Sequence, residues 1–441
     1  MNRRPSRWRK LKRAPLPPPA ELPATDRPER RFPAGFLWGC ATAAHQVEGG
    51  NHNNDWWGFE RRGGILNGDS SDPACDHYHR FPEDFRLLRL LRNNAHRLSI
   101  EWSRIEPSPG EFDDAQVQHY REVLEELRRR GMAAMVTLHH FTSPTWFAQR
   151  GGWSASGAEQ AWLPFVTRVA EELGDLVAAW CTLNEPNIYA TQGWLTGEFP
   201  PGRKGDLRGV YRVLSAMARG HELAYRLLKR ITPAVPVGLA HHKWLMLPAE
   251  PRRRRDRVAA GTAQLFMDRW PVGRGRLQRV VEAPSDFIGL NHYTGSLVEF
   301  DPRRPQEQFI HRFNPPGTPE SDFGWAIRPG WLRRSLEELK PLGKPVYVAE
   351  NGIATVDDGR RQQFLIAVLG EVWEAIQSGV DVRGYFHWTS VDNFEWAHGY
   401  AMRFGLIGLD RETQERRIKA SGWLFAKIAE DNALSRVDLG G

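Results

Sequence analysis

Eight short runs rich in apolar and β-branched residues recur along this chain, and each is followed by a longer stretch whose apolar residues have helical spacing. The runs are FLWGCATAA (36–44), AHRLSIEW (95–102), AAMVTLHH (133–140), VAAWCTLNEP (177–186), PVGLAHH (236–242), DFIGLNHY (286–293), KPVYVAENG (344–352) and VRGYFHWT (382–389). A strand can meet a parallel neighbour only through a crossover long enough to hold a helix, so eight such alternations predict an α/β fold closed as a (β/α)8, or TIM, barrel. The length of 441 residues suits one such barrel with insertions, as a single domain. The stretches VQHYREVLEELRRRG (117–131), ARGHELAYRLLKRI (218–231) and GWLRRSLEELKPLG (330–343) carry the helical pattern, and Gly131 and Gly343 stand as stops. The Pro-containing segment 296–324 reads as loop-rich and lying over one face, and no repeat of fixed period is present.

The formal net charge is +7, but much of the excess is local. Arg3, Arg4, Arg7, Arg9, Lys10, Lys12 and Arg13 precede a Pro-rich stretch without apolar periodicity. Residues 1–31 therefore read as a disordered basic tail, 32–432 as the catalytic barrel and 433–441 as a C-terminal tail. The lack of an apolar core in the first segment argues against a secretory signal, and no run approaches the roughly 18 apolar residues of a membrane span. The second basic run, Arg252 to Arg255, reads as an exposed loop. With only these two clusters behind it, nucleic acid is not an expected partner. Three cysteines, Cys40, Cys75 and Cys181, give neither a disulfide framework nor zinc spacing, so a reducing cytoplasm is the expected location.

Polar and aromatic residues gather at the C-terminal ends of the runs, where barrel active sites lie: His139 and His140, Asn184 and Glu185, Asn291 and Tyr293, Glu350 and Asn351, Trp388. Glu185 and Glu350 end the fourth and seventh runs and would face each other over the mouth. Two such carboxylates suit acid–base and nucleophilic work on a glycosidic bond, one attacking the anomeric carbon while the other protonates the leaving oxygen. The nucleophile needs a cation or hydroxyl to stay ionised, for which Arg97 and Tyr293 are candidates. Among 18 Trp residues, Trp388 and Trp396 are the best placed to stack on a sugar ring. His139 and His140, adjacent on a strand, would point opposite ways, so no metal site is expected there. His77 and His79 have strand-like spacing but no partnering cluster. His241 and His242 read as strand-end packing or polar lining.

The segments FPAGFLWGCATAAHQVEGG, HRLSIEWSRIEP, TLNEPN, DFIGLNHYTG, VAENG and GVDVRGYFHWTSVDNFEWAHGYAMRFGL resemble, in order, the signature segments of family 1 glycoside hydrolases, the β-glucosidase and β-galactosidase group. The resemblance runs from about Phe32 to Phe425. It implies a retaining exo-acting β-D-glycosidase that needs no cofactor and takes a small glycoside or oligosaccharide. Glu185 matches the family's acid/base and Glu350 its nucleophile. Asn184 matches the partner of the sugar 2-hydroxyl, and Arg97, Asn291 and Tyr293 the support of the nucleophile. Gln46, His140, Glu395 and Trp396 match the set that binds the outer hydroxyls, Trp388 the platform under the ring, and Trp325 a residue lining the leaving-group side. Two departures stand out: Ala349 where Thr usually precedes the nucleophile, and Phe141 where a Trp commonly follows the sugar-binding His.

Other readings have sequence features against them. A phosphoglycosidase is disfavoured because Glu395 would repel a phosphate on the sixth carbon. A thioglucosidase would lack Glu185, and a catalytically dead sugar-binding barrel would lack one carboxylate of the pair. Oligomeric state and preferred sugar have no signature in the chain.

Overall fold

The computed structural model describes residues 29–272, 276–304 and 309–435. The basic N-terminal stretch read as a tail lies outside the described residues up to position 28. Eight parallel strands close into a barrel in sequence order: β1 (Leu37–Ala41), β2 (Ala95–Ser99), β3 (Ala133–Thr137), β4 (Ala179–Asn184), β5 (Val237–His242), β6 (Phe287–Asn291), β7 (Val346–Asn351) and β8 (Val382–Trp388). All eight lie within the runs expected from the sequence. Helices follow each strand: α1 (His77–Leu90), α2 (Asp114–Arg129), α3 (Ala158–Leu173), α4 (Leu207–Ile231), α5 (Arg254–Asp268), α6 (Gly330–Glu337), α7 (Asp358–Gln377) and α8 (Ala420–Asp431).

Local chemistry sets the helix limits. The Asp113 carboxylate caps α2 by accepting from the Ala115 and Gln116 amides, and the chain leaves the helix through Gly131 at φ +68. Val117, Tyr120, Val123, Leu124 and Leu127 form its buried stripe. Leu124 and Leu127 are fully buried, so truncating either to Ala would cost about 2–5 kcal/mol. The expected helix 330–343 is shorter than its apolar spacing suggests: α6 ends at Glu337 and a separate 3-10 turn covers Lys340–Leu342, where Pro341 cannot continue an α-helix.

Two strand registers slip near the barrel mouth. Cys181 pairs with Gly238 but Asn184 with Ala240, and Leu290 pairs with Val348 but Asn291 with Glu350. An extra residue thus enters β4 and β7, the two strands that lead to Glu185 and Glu350, and such bulges re-aim side chains.

Several local expectations are corrected. Segment 296–324 is not all loop: strands Gly295–Phe300 and Ile310–Phe313 join Leu245–Pro248 in a three-stranded sheet outside the barrel. His77 and His79 open a helix rather than a strand and bond separate carboxylates, Asp84 at 2.7 Å and Asp76 at 2.6 Å. Arg252 to Arg255 are exposed as expected, but Arg254 already starts α5. Arg30–Arg31 pairs antiparallel with Ala433–Leu434, so residues at the inner ends of the two stretches read as tails pair with each other. Among the described residues, no helix is long and apolar enough to cross a membrane.

Candidate active site

Arg97 on β2 is completely buried, and its guanidinium reaches across the barrel interior. Its Nη1 pairs with Glu350 Oε1, its Nη2 donates to Asn184 Oδ1 at 2.7 Å, and its Nε donates to Thr137 Oγ1 at 3.2 Å. One side chain of β2 therefore ties together β3, β4 and β7. The second oxygen of Glu350 accepts from the Tyr293 hydroxyl at 2.7 Å. Both carboxylate oxygens are thus held, as a buried charge requires. The next turn explains the Gly of the AENG motif: a Cβ on Gly352 would collide with the Trp388 carbonyl.

Glu185 stands one residue past β4 with φ +43, in the left-handed region, and Pro186 starts a short helix directly after it. A non-glycine residue held at that dihedral pays local strain, which marks the position as set by the surrounding structure. Glu185 Oε1 accepts from Asn291 Nδ2 at 2.7 Å and lies 3.1 Å from His242 Nδ1. Asn291 also donates to Asn184 Oδ1 at 3.0 Å, so a continuous chain of hydrogen bonds runs Glu350, Arg97, Asn184, Asn291, Glu185. The two carboxylates, 350 − 185 = 165 positions apart, belong to one network.

The rest of the predicted set lines the same mouth. His140 Nε2 is 3.0 Å from Asn184 Nδ2, and its ring stacks near Trp388 and Trp396 with centroids 5.9 and 6.0 Å away. His139 points the other way, where its Nε2 accepts from Trp153 Nε1 at 3.0 Å. Gln46 Nε2 donates to the Phe394 carbonyl at 2.8 Å and reaches Glu395 Oε2 at 3.4 Å, which also receives Trp388 Nε1 at 3.4 Å. Trp325 is half-buried, stacked on Phe323 at 4.2 Å and 5.7 Å from Tyr293. Gln46 Oε1, His140 Nδ1 and Asn291 Oδ1 are buried with no protein partner.

The electrostatics are those of a crowded, dry carboxylate site. Burial pushes Glu350 up to about 7; Glu185 adds to the rise, while Arg97 and Tyr293 oppose it. At Glu185 burial also pushes upward, but His242, Asn291 and Arg97 outweigh it and hold the group below the ordinary range. The two titrate as a pair. Glu395, with no cation beside it, is pushed by burial up to about 8, and Glu350 and Glu185 add to the rise. Burial, with Arg97 and His139 nearby, holds His140 well below the ordinary imidazole range, so it is a neutral ring that accepts or donates.

The structure thus links Gln46, Arg97, His140, Asn184, Glu185, Asn291, Tyr293, Trp325, Glu350, Trp388, Glu395 and Trp396 through these contacts, whereas His139 turns to Trp153 and Asn351 to the His292 carbonyl and the Tyr385 hydroxyl. It also adds some that sequence reasoning did not assign. His242 touches Glu185 instead of merely lining the strand end, and Thr137 orients Arg97. Asn393 contacts Gln46 at 3.3 Å, and Trp56 packs behind Trp396 at 4.6 Å. His242 and Thr137 end barrel strands, and that position was itself the available signal.

A family model described as Glycosyl hydrolase family 1 matches residues 28–276 and 273–434. "Beta-glucosidase A" of Thermotoga maritima is 34% identical over 449 residues, covering 92% of this chain and 99% of that protein. A "Bifunctional beta-D-glucosidase/beta-D-fucosidase" of Bifidobacterium breve is 33% identical over 460 residues, covering 91% of this chain and 99% of that protein. Among solved structures, a beta-glycosidase from Pyrococcus horikoshii superposes with a TM-score of 0.86 at 35% identity, covering 93% of this chain and 98% of that one.

Proposed function

The chain belongs to glycosyl hydrolase family 1, and we propose that it is a retaining, exo-acting β-D-glycosidase. It removes terminal non-reducing β-linked sugars, with β-glucosides as principal substrates and β-galactosides and β-fucosides as further ones. One observation carries this reading: two buried carboxylates share a network in which Glu350 has both oxygens held while Glu185 has its bonds on Oε1 alone. The first arrangement suits an oriented nucleophile and the second a carboxyl group with an oxygen left for proton exchange.

In the first half of the reaction Glu350 attacks the anomeric carbon and Glu185 gives its proton to the leaving oxygen; a covalent glycosyl-enzyme results. In the second half Glu185 takes a proton from water, which attacks the same carbon, breaks its bond to Glu350 and releases that carboxylate, so the original anomer is restored. Arg97 and Tyr293, both directed at Glu350, oppose the rise that burial and Glu185 give it; Glu185 is nonetheless the lower of the coupled pair in the free enzyme, so productive binding of a glycoside has to bring the shared proton to Glu185. Asn184, already polarised by Arg97, faces the ring's 2-hydroxyl. Gln46, His140, Glu395 and Trp396 bind the outer hydroxyls, Trp388 supports the ring face, and Trp325 borders the leaving group. Gln46 and Trp388, both bonded to Glu395, form a polar cluster on one side of the mouth that supports exo action. Three free, buried cysteines support residence in a reducing cytoplasm.

The test is a proton NMR time course on aryl β-glucoside, β-galactoside and β-fucoside, read before mutarotation. Release of the β-anomer is the expected result and ranks the three sugars. Release of the α-anomer would remove Glu350 from the attacking role.

A further inference from the structure

His242 is buried at the end of β5, and its Nδ1 lies 3.1 Å from Glu185 Oε1. The other ring nitrogen, Nε2, is buried without a hydrogen-bond partner. Which nitrogen of a neutral imidazole carries hydrogen is normally set by the bonds of both, and here only Nδ1 has one. An orphaned N–H is rarer in proteins than an orphaned acceptor, so the hydrogen belongs on Nδ1, donating to Glu185. The ring has little freedom to leave this contact. It lies between Tyr293, 6.0 Å away and nearly parallel, and Trp244 at 6.1 Å, and Asn187 Nδ2 holds the His242 carbonyl at 2.9 Å.

We propose that His242 is a positioning residue for Glu185: together with Asn291 it occupies Oε1 from the protein side, so that only Oε2 exchanges a proton with a bound glycoside. The inference rests on Glu185 being the acid/base. The proton count closes without charging the imidazole. Glu185 Oε2–H passes its proton to the leaving oxygen, the resulting carboxylate keeps both donors on Oε1, and the proton returns to Oε2 from the attacking water. Two donors on one oxygen also make Glu185 a stronger acid than burial alone would allow.

Other charged groups near His242 have their own partners. Lys243 is paired with Asp268 at 3.2 Å and Glu338 at 2.8 Å, and His241 with Asp268 at 3.3 Å. His292 bonds the Lys243 carbonyl at 2.8 Å. Across Glu185, Tyr293 and Arg97 are committed to Glu350, and Glu395 lies with Gln46 and Trp388. A pH shift on changing His242 therefore reports on the Glu185–Glu350 pair, in which Glu185 is the member His242 touches.

The experiment is the pH profile of kcat/KM for full-length His242→Leu and His242→Asn on an alkyl β-glucoside, whose poor leaving group needs the proton. His242→Leu removes the donor and should move the basic limb upward by about one pH unit, the size expected for losing one hydrogen bond to a charge. His242→Asn can place an amide N–H near the same point and should return the limb toward wild type. A basic limb in His242→Leu that coincides with wild type, at whatever kcat, overturns the proposal, as does an equal shift in both variants. Glu185→Ala run beside them separates the two levels of the argument. If it fails to discriminate between poor and activated leaving groups, the acid/base reading itself falls; if it discriminates while His242→Leu leaves the limb in place, only the role of His242 falls.

Discussion

Glu350 and Glu185 end two strands of the same barrel, yet they are held by opposite means. Glu350 is gripped by a buried cation and a hydroxyl, one on each oxygen. Glu185 meets an amide and an imidazole on a single oxygen, and its backbone sits at a strained dihedral. A guanidinium beside a buried carboxylate favours the ionised form strongly and fixes direction through its planar fork. The donors on Glu185 Oε1 restrain the group and hold it below the ordinary range, while its other oxygen is left for proton exchange. The difference teaches that two chemically identical side chains acquire different duties from the charge of their neighbours.

Removing Glu350 should show the largest contrast. Glu350→Gly is expected to lose at least about four orders of magnitude in kcat while keeping a native circular dichroism spectrum, because no other group in the site can form the covalent bond. A variant with wild-type turnover would end the nucleophile assignment. Glu185→Ala should be selective: roughly a hundred- to ten-thousandfold loss on alkyl glycosides, and far less effect on the first step with activated aryl glycosides that leave without help. Equal losses on both substrates would mean the two carboxylates are not differentiated as described.

Arg97→Met tests the grip itself. Breaking a pair whose side chains are 1% and 4% exposed should cost about 3–5 kcal/mol at pH values where Glu350 is ionised. Glu350 should rise further above its value of about 7, so the acid limb of activity moves to higher pH. Denaturant titrations at two pH values and a pH–rate profile check both effects.

The smallest expected effect concerns Glu395, a third carboxylate with no cation beside it. Its folded value, about 8, lies above the ordinary 4.5, so it contributes most to stability below pH 4.5 and that contribution is lost as pH rises through about 8. Glu395→Gln should remove this loss and raise Tm by a few °C at pH 8 relative to wild type, with little change at pH 5. KM for glucosides should rise, because a bonding partner of Gln46 and Trp388 has changed. Parallel Tm curves for the two proteins would show that burial of Glu395 is not what the comparison claims.

Much of the architecture was legible because it depends on local pattern. Each barrel strand lies within a run of apolar and β-branched residues, and the capping Asp and stopping Gly around α2 are visible as letters. The added sheet of Leu245–Pro248, Gly295–Phe300 and Ile310–Phe313 was not legible. Its strands are short and Pro-flanked, and one of its two pairings joins Leu245 to Gly295, far along the chain. The spacing of His77 and His79 misled for a local reason, because two residues two positions apart do not distinguish a strand from the first turn of a helix. His242 reads from the sequence as strand-end packing or polar lining, and its particular contact was not legible because the residue it meets, Glu185, is 57 positions away.

The order of strands and helices, the presence of two Glu residues at strand ends and the residue types around them are fixed in the chain, because periodicity and motif spacing act over a few neighbours. The placement of Arg97 across three strands, the register slips that turn Glu185 and Glu350 into the mouth, and the donor on each carboxylate oxygen arise only when the barrel closes. Closure brings residues more than a hundred positions apart within hydrogen-bonding distance and away from water. There the strength of each contact depends on burial and on the charge of the partner, neither of which any local stretch of sequence contains.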